Sequence, residues 1–164
     1  MKRTFVAATI TALVALMPSV AAPPGKSNFT GTWMMDEKRS VSANSGTPYV
    51  PITLVIKQTD TTMTVETRQG EHSETIVYRL DGSQTEKPAE GGHAFQWRAQ
   101  WEGAKLVTET HRNINGSTVT VKESLSLANP RELTIDRTLT VQHGYTMRGT
   151  RNYSSGTDVF TKSR

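Results

Sequence analysis

Phe95–Tyr153 reads FQWRAQWEGAKLVTETHRNINGSTVTVKESLSLANPRELTIDRTLTVQHGYTMRGTRNY. Apolar and polar residues alternate along most of this stretch, which is typical of β-strands because successive side chains point to opposite faces of a sheet. Turn-forming residues interrupt the alternation at four places: Gly103-Ala104, Asn115-Gly116, Asn129-Pro130 and Gln142-His143-Gly144. The stretch therefore predicts five consecutive antiparallel strands with an apolar-leaning inner face and a polar outer face.

The turns also predict the register of these strands, because the length of a hairpin loop fixes which residues lie opposite each other. The first three turns pair Trp101 with Leu106, Ala99 with Thr108, Trp97 with Thr110, Leu106 with Leu125, Thr108 with Glu123, Thr110 with Val121, Leu127 with Leu133, Leu125 with Ile135, Glu123 with Arg137, and Val121 with Leu139. A fourth turn, at Gln142-His143-Gly144, pairs Val141 with Tyr145, Leu139 with Met147, and Arg137 with Gly149. In that register Asn152 belongs to the outer face.

One row of the inner face carries charge. It contains Ala99, Thr108, Glu123, Arg137 and Gly149, so that a carboxylate faces a guanidinium between small neighbours. Burying a charge is costly unless the charge is paired and hydrogen-bonded. The row therefore predicts either a structural ion pair or the polar floor of a ligand cavity.

Length and composition predict one domain. The chain has 164 residues, of which 35% are hydrophobic, and its segments are rich in β-forming residues. Residues 84–92 are predicted to form an exposed loop and residues 154–156 a turn, followed by a short last strand at Val159-Phe160 that closes against the first strand. We expect an all-β fold, an antiparallel up-and-down barrel of about eight to ten strands.

Residues 1–21 are predicted to be a secretory signal peptide, which leaves residues 22–164 as a single domain. A basic start at Lys2-Arg3 precedes a short apolar run, and small residues follow Pro18. The apolar run is too short to span a membrane. Cysteine is absent, so no lipobox thiol or disulfide is available. We expect a periplasmic or secreted protein, and export in a bacterium is the simplest interpretation.

The remaining sequence features argue against several classes of function. The formal net charge is +4 at pH 7 without any basic cluster, which gives no support to nucleic-acid binding. The four histidines show no metal-ligand spacing, and no nucleophile elbow, phosphate loop or zinc motif is present. We expect a monomer that is not an enzyme and that has no cofactor and no metal.

Phe29-Thr30-Gly31-Thr32-Trp33 resembles the N-terminal signature of the lipocalin and calycin barrels. Residues 36–40 and 101–106 are also similar to those of uncharacterised bacterial lipocalin-like secreted proteins. The resemblance implies a lipocalin-like barrel with a general habit of binding ligands. It further implies that Trp33 packs at the closed end beneath an arginine of a late strand, either Arg151 or Arg137.

These features predict a ligand in the barrel interior. Aromatic and apolar lining is expected from Tyr78, Phe95, Trp97, Trp101, Tyr145 and Met147, and polar groups from Thr108, Glu123 and Arg137. The predicted ligand is small and lipophilic, and Arg137 would allow it to be acidic. The alternative is a barrel filled by its own side chains, which acts through its outer surface as an inhibitor or interaction module of the cell envelope.

Overall fold

A computed structural model of the chain describes residues 25–41, 43, 50–88, 94–114, 116–143 and 151–164, with Ala94 and Arg151 described by their backbone alone. These residues form ten strands: β1 Gly31–Met35, β2 Ile52–Gln58, β3 Thr62–Gln69, β4 His72–Arg79, β5 Thr85–Pro88, β6 Ala94–Glu102, β7 Lys105–Ile114, β8 Ser117–Asn129, β9 Glu132–His143 and β10 Arg151–Lys162. Nothing in these ranges is a helix that could cross a membrane. The predicted signal peptide lies outside the described residues.

The strands form one antiparallel sheet in the order β4-β3-β2-β1-β10-β9-β8-β7-β6-β5. Nearly all pairings join strands that are consecutive in the chain, and the first strand pairs with the last, with Met35 opposite Phe160. The sheet curls until β4 contacts β6. The predicted all-β meander barrel is therefore confirmed. Within the described residues it is closed except at the seam between its two edge strands, β4 and β5, where β4 contacts β6.

Three of the four predicted registers are confirmed. Leu106 lies opposite both Trp101 and Leu125, Thr108 opposite Ala99 and Glu123, Glu123 opposite Arg137, and Leu127 opposite Leu133. Gly103 and Gly116 take positive φ angles of 63° and 76° at two of the turns. Glycine adopts such angles without steric cost, so the turn positions read from the sequence fix the pairing.

The fourth register is wrong. Arg137 lies opposite Gly156, and Val141 lies opposite Asn152. Strand β10 is held between β9 and β1, and burial of Phe160 opposite both Leu133 and Met35 fixes its position. The register is thus set by the C-terminal end of β10 and not by the predicted turn at Gln142-His143-Gly144.

The new register reverses the faces of β10. Asn152 takes the same parity as the inner residues of β9, and Tyr153 is 69% exposed. Residues 154–156 do not form the predicted turn, because β10 runs through them as one strand. Tyr145, Met147 and Gly149 lie outside the described residues.

The prediction of a loop over residues 84–92 is wrong for Thr85–Pro88, which forms strand β5. Thr85–Pro88 pairs with β6, and Pro88 lies opposite Ala94 at the end of the ladder. A proline is compatible with the end of an edge strand, where its missing N–H breaks no central hydrogen bond. The prediction gave too much weight to the polar composition of this segment.

The apolar core lies at the end of the barrel where β6 turns into β7 and β8 turns into β9. Its largest fully buried side chains are Phe29, Trp33, Ile56, Met63, Leu106, Leu133 and Phe160. This end is therefore closed by packed side chains, and the space that remains lies above it in the barrel.

Candidate functional site

A cavity of about 350 Å³ lies inside the barrel between β2–β4 on one side and β7–β9 on the other. Its apolar lining consists of Ile52, Leu54, Ile56, Val65, Ile76, Val121, Leu125 and Ile135. Its polar lining consists of Thr67, Glu74, Tyr78, Thr108, Thr110, Arg112, Glu123 and Arg137. Of the predicted ligand-binding residues, the structure brings Tyr78, Thr108, Glu123 and Arg137 together around this space.

Arg137 joins two carboxylates at the inner wall. Its Nε and Nη2 lie 2.8 Å and 2.7 Å from Oε1 of Glu123. Its Nη1 lies 2.7 Å from Oδ2 of Asp158, whose side chain is 3% exposed. We call Glu123, Arg137 and Asp158 the interior ion cluster. The cluster ties β8, β9 and β10 together, so it is a structural feature as well as part of the cavity wall.

Two hydroxyl groups extend the interior ion cluster toward β4. The Thr108 hydroxyl donates to Oε2 of Glu123 at 3.3 Å, and the Thr108 and Tyr78 side chains both line the cavity. Burial raises the pKa of the Tyr78 phenol far above its usual range, and the nearby charge of Glu123 raises it further. Tyr78 therefore stays neutral and keeps its O–H at physiological pH.

A second ion pair lies on the cavity wall farther from the closed end. Arg112 of β7 bonds to Glu74 of β4, and its guanidinium lies 4.1 Å from the ring centroid of Phe95. The two charged side chains are 40% and 51% exposed, in contrast to the interior ion cluster. Neither residue was predicted for the site, although Arg112 has the same parity on β7 as Thr108 and Thr110.

Trp97 and Phe95 lie beside the cavity instead of lining it. Trp97 Nε1 donates to the backbone oxygen of Val77 at 2.8 Å, which connects β6 to β4 across the seam. The Phe95 ring packs against Trp97 with centroids 4.8 Å apart. These two aromatic side chains therefore help to close the barrel wall.

Trp101 lies at the closed end and does not line the cavity. Its ring stacks on Phe29 with a centroid distance of 6.0 Å, and Nζ of Lys26 lies 5.6 Å from its centroid. Its buried Nε1 has no hydrogen-bond partner among the described residues. The prediction missed this because both ends of the barrel carry inward aromatic residues, and sequence parity does not distinguish depth.

The N-terminal motif forms the base of the barrel. Trp33 is fully buried, and its Nε1 donates to the backbone oxygen of Phe29 at 2.8 Å. The cation above the Trp33 ring is Lys162, whose Nζ lies 5.1 Å from the centroid. A Cβ on Gly31 would lie 2.3 Å from Cε of Lys162, so the glycine makes room for the lysine.

Neither arginine that the resemblance proposed takes the position above Trp33. Arg151 lies opposite Gln142, at the other end of β10 from Lys162, and Arg137 belongs to the interior ion cluster. Register explains the difference, since Trp33 lies opposite Lys162 in the pairing of β1 with β10.

Asp158 is the member of the interior ion cluster that the sequence did not predict. The incorrect register of β10 hid its inner position, because the segment 154–156 was interpreted as a turn. Its parity with the buried Phe160 was the available signal. Across the described ranges, no group of three or more His, Asp or Glu side chains could hold a metal ion.

No family model and no curated protein matches the sequence. Solved structures do match. The REP1-NXSQ fatty acid transporter is similar at 11% identity and a TM-score of 0.54, over 82% of this chain and 96% of the other. A secretary abundant heat soluble (SAHS) protein from Ramazzottius varieornatus has 12% identity and a TM-score of 0.57, over 86% and 98%.

Human cRBP IV has 12% identity and a TM-score of 0.54, over 84% of this chain and 99% of the other. The fold is lipocalin-like. At these identities the similarity supports the architecture and leaves the ligand to be argued from the cavity. The more specific resemblance to bacterial secreted proteins stays a prediction.

Proposed function

We propose that this protein binds a small lipophilic molecule in the cavity between β2–β4 and β7–β9. The supporting observation is an interior volume of about 350 Å³ with apolar side chains on both walls and a fixed polar group on one. Ligand pockets usually have about 300–1,000 Å³ and a mainly apolar lining with a few placed polar groups. The volume favours a small ligand, and it argues against a barrel filled by its own side chains.

The sequence allowed the lipophilic ligand to carry an acidic head group. A ligand carboxylate would lie against Arg137, as bidentate pairs of arginine with carboxylates often do. Oxygen atoms of Glu123 and Asp158 already lie within 2.8 Å of three nitrogens of that guanidinium. An acidic ligand would therefore compete with carboxylates that already bond this guanidinium.

The proposal is tested by filling the cavity. The neutral fluorescent probe N-phenylnaphthylamine should bind the wild-type protein with enhanced emission. Ile76→Trp places a large side chain in the cavity and should abolish the enhancement. Val77→Trp is the matched control, because Val77 is the next residue of β4 and is 45% exposed. Equal probe binding by both variants would disprove an interior site.

Arg137→Met is a weak test of this proposal. It would leave Glu123 and Asp158 without the cation that they share, and breaking a buried ion pair typically costs about 3–5 kcal/mol. A loss of binding by this variant would then report unfolding as readily as loss of a ligand contact. Native mass spectrometry of wild-type protein from its natural source is the better complement, because it would detect a retained small molecule.

We also propose that the protein acts by binding and not by catalysis, and that it is exported. Two of the matched structures are described as a fatty acid transporter, which supports a binding role. Export is supported by the basic start, apolar run and small residues within positions 1–21. Determining the N-terminal residue of the natural protein tests the export proposal directly.

A further inference from the structure

The two oxygens of Glu123 are used unequally. Oε1 accepts from both Nε and Nη2 of Arg137 at 2.8 Å and 2.7 Å. Oε2 accepts from the Thr108 hydroxyl at 3.3 Å, which is longer than the ~2.5–3.0 Å usual for an O–H···O bond. A carboxylate oxygen can accept two hydrogen bonds. Oε2 is therefore an acceptor on the cavity wall with capacity for another donor.

The hydroxyl groups near Oε2 can serve a ligand in the same way. Tyr78 and Thr108 both line the cavity, and each hydroxyl can donate or accept. The apolar residues Leu125 and Ile135 lie next to this polar patch on β8 and β9. The patch thus offers one anionic acceptor and two adaptable hydroxyls at the border of an apolar space.

A carboxylate on the ligand does not fit this patch well. It has no proton to donate to Oε2 at neutral pH, and it would bring a second anion close to Glu123. Beside Arg137 it would compete with Glu123 and Asp158, which already bond three nitrogens of that guanidinium, and its closest approach would displace one of them. The displaced side chain would then lose a charged partner in the barrel interior, which is unfavourable.

On the basis of the function proposed above, we propose that the natural ligand carries an uncharged hydrogen-bond donor, in its simplest form an alcohol, which donates to Oε2 of Glu123 and contacts the hydroxyls of Thr108 and Tyr78. The apolar remainder lies against the walls formed by β2–β4 and β7–β9. The chemical class is therefore a small lipophilic alcohol in preference to a fatty acid.

Three ligands with the same ten-carbon chain test this assignment on the wild-type protein. Decanol, decanoate and methyl decanoate compete with N-phenylnaphthylamine near neutral pH. A hydrogen bond to a charged group contributes about 1.5–3 kcal/mol, and about 1.4 kcal/mol corresponds to a tenfold change in affinity. We therefore expect decanol to displace the probe at concentrations at least about tenfold lower than either competitor.

Equal or tighter binding of decanoate would overturn the alcohol assignment and leave interior binding intact. Equal binding of decanol and methyl decanoate would overturn it too, because the ester lacks a donor. If the probe binds wild type and Ile76→Trp equally, the proposed function itself fails. These outcomes separate the two proposals.

Glu123→Gln gives an independent check by exchanging one acceptor oxygen for an amide and removing the charge. We expect the preference for decanol over decanoate to fall by at least about fivefold, since one charge-assisted hydrogen bond is lost and the repulsion of an acid is relieved. Circular dichroism establishes that the variant is folded. A folded variant with an unchanged preference would contradict the role assigned to Glu123.

Discussion

Asp158 Oδ2 lies 2.7 Å from Nη1 of Arg137, across the boundary between β9 and β10. The two residues are not directly opposite, because Arg137 faces Gly156 and Asp158 faces Ile135. Gly156 has no side chain, so the guanidinium has space to pass diagonally toward the carboxylate. The pair connects the last strand to the wall of the cavity, and it depends on a glycine that contributes no contact of its own.

Asp158→Ala should strongly destabilise the barrel. The change removes the buried carboxylate of an ion pair, and because Arg137 keeps Glu123 as a partner, we expect a loss toward the lower end of the about 3–5 kcal/mol typical of breaking a buried pair. Urea denaturation followed by tryptophan fluorescence measures the free energy of unfolding. Asp136→Ala is the control, because Asp136 is exposed on the other face and hydrogen-bonds Thr157. Similar values for the two variants would show that the interior pair contributes little.

Trp97→Phe should weaken the seam between β4 and β6. It removes the indole N–H that donates to Val77 at 2.8 Å, and a net hydrogen bond contributes about 1 kcal/mol. The free energy of unfolding should fall, and hydrogen exchange of the β4 amides should become faster.

Trp101→Phe is the matched control for the seam, since the Trp101 Nε1 has no partner among the described residues. We expect its cost to be smaller than that of Trp97→Phe by at least ~1 kcal/mol. Faster exchange of β4 in the Trp101 variant alone would contradict the role of the Trp97 bond.

Gly31→Ala should destabilise the protein through Lys162. The new Cβ would lie 2.3 Å from Cε of Lys162 in the present arrangement, at a backbone φ of +152°. Displacing the lysine from the Trp33 ring, together with the backbone strain, should cost about 1–3 kcal/mol. The measurement is a double-mutant cycle with Lys162→Ala, in which the loss from Gly31→Ala should shrink by at least ~0.5 kcal/mol. Simple additivity would exclude the proposed steric coupling.

Tyr78 should make the barrel less stable in alkaline solution. Burial raises the pKa of this phenol in the folded state, so the folded state holds the proton more tightly than the unfolded chain does. The corresponding stability is fully present below the ordinary tyrosine pKa of about 10 and is lost as the pH rises above it.

The alkaline effect is measured as the free energy of unfolding at increasing pH. Tyr78→Phe lowers stability near neutrality by removing a hydroxyl, yet its further loss in alkali should be smaller than that of the wild type. Tyr153→Phe, at a position that is 69% exposed, should keep the wild-type loss. If the Tyr78 and Tyr153 variants have parallel pH profiles, the phenol of Tyr78 does not cause the effect.

The sequence predicted those parts of the barrel in which a short turn and the alternation of apolar and polar residues indicate the same strand pairing. Asn115-Gly116 sits between two alternating segments, and Glu123 consequently lies opposite both Thr108 and Arg137 as expected. The charged row was predictable for the same reason. Strand identity and register are local properties when the connecting turn is short.

The remainder depended on contacts between distant parts of the chain. The position of β10 follows from its pairing with β1, more than a hundred residues away in sequence, so Asp158 and Lys162 were not found. The depth of an inward side chain is also nonlocal, which is why Trp97 and Trp101 were assigned to the cavity. Parity along a strand gives the face of a residue and leaves its height in the barrel undetermined.

The seam determines how firmly the circumference of the barrel is fixed. In a fully closed barrel, continuous ladders of backbone hydrogen bonds fix the circumference. Here β4 is joined to the other side of the barrel by the Trp97–Val77 hydrogen bond and by the half-exposed Glu74–Arg112 ion pair. Breaking both interactions costs about 1–2 kcal/mol. Neither interaction belongs to the hydrogen-bond ladders between paired strands, so its loss leaves those ladders intact.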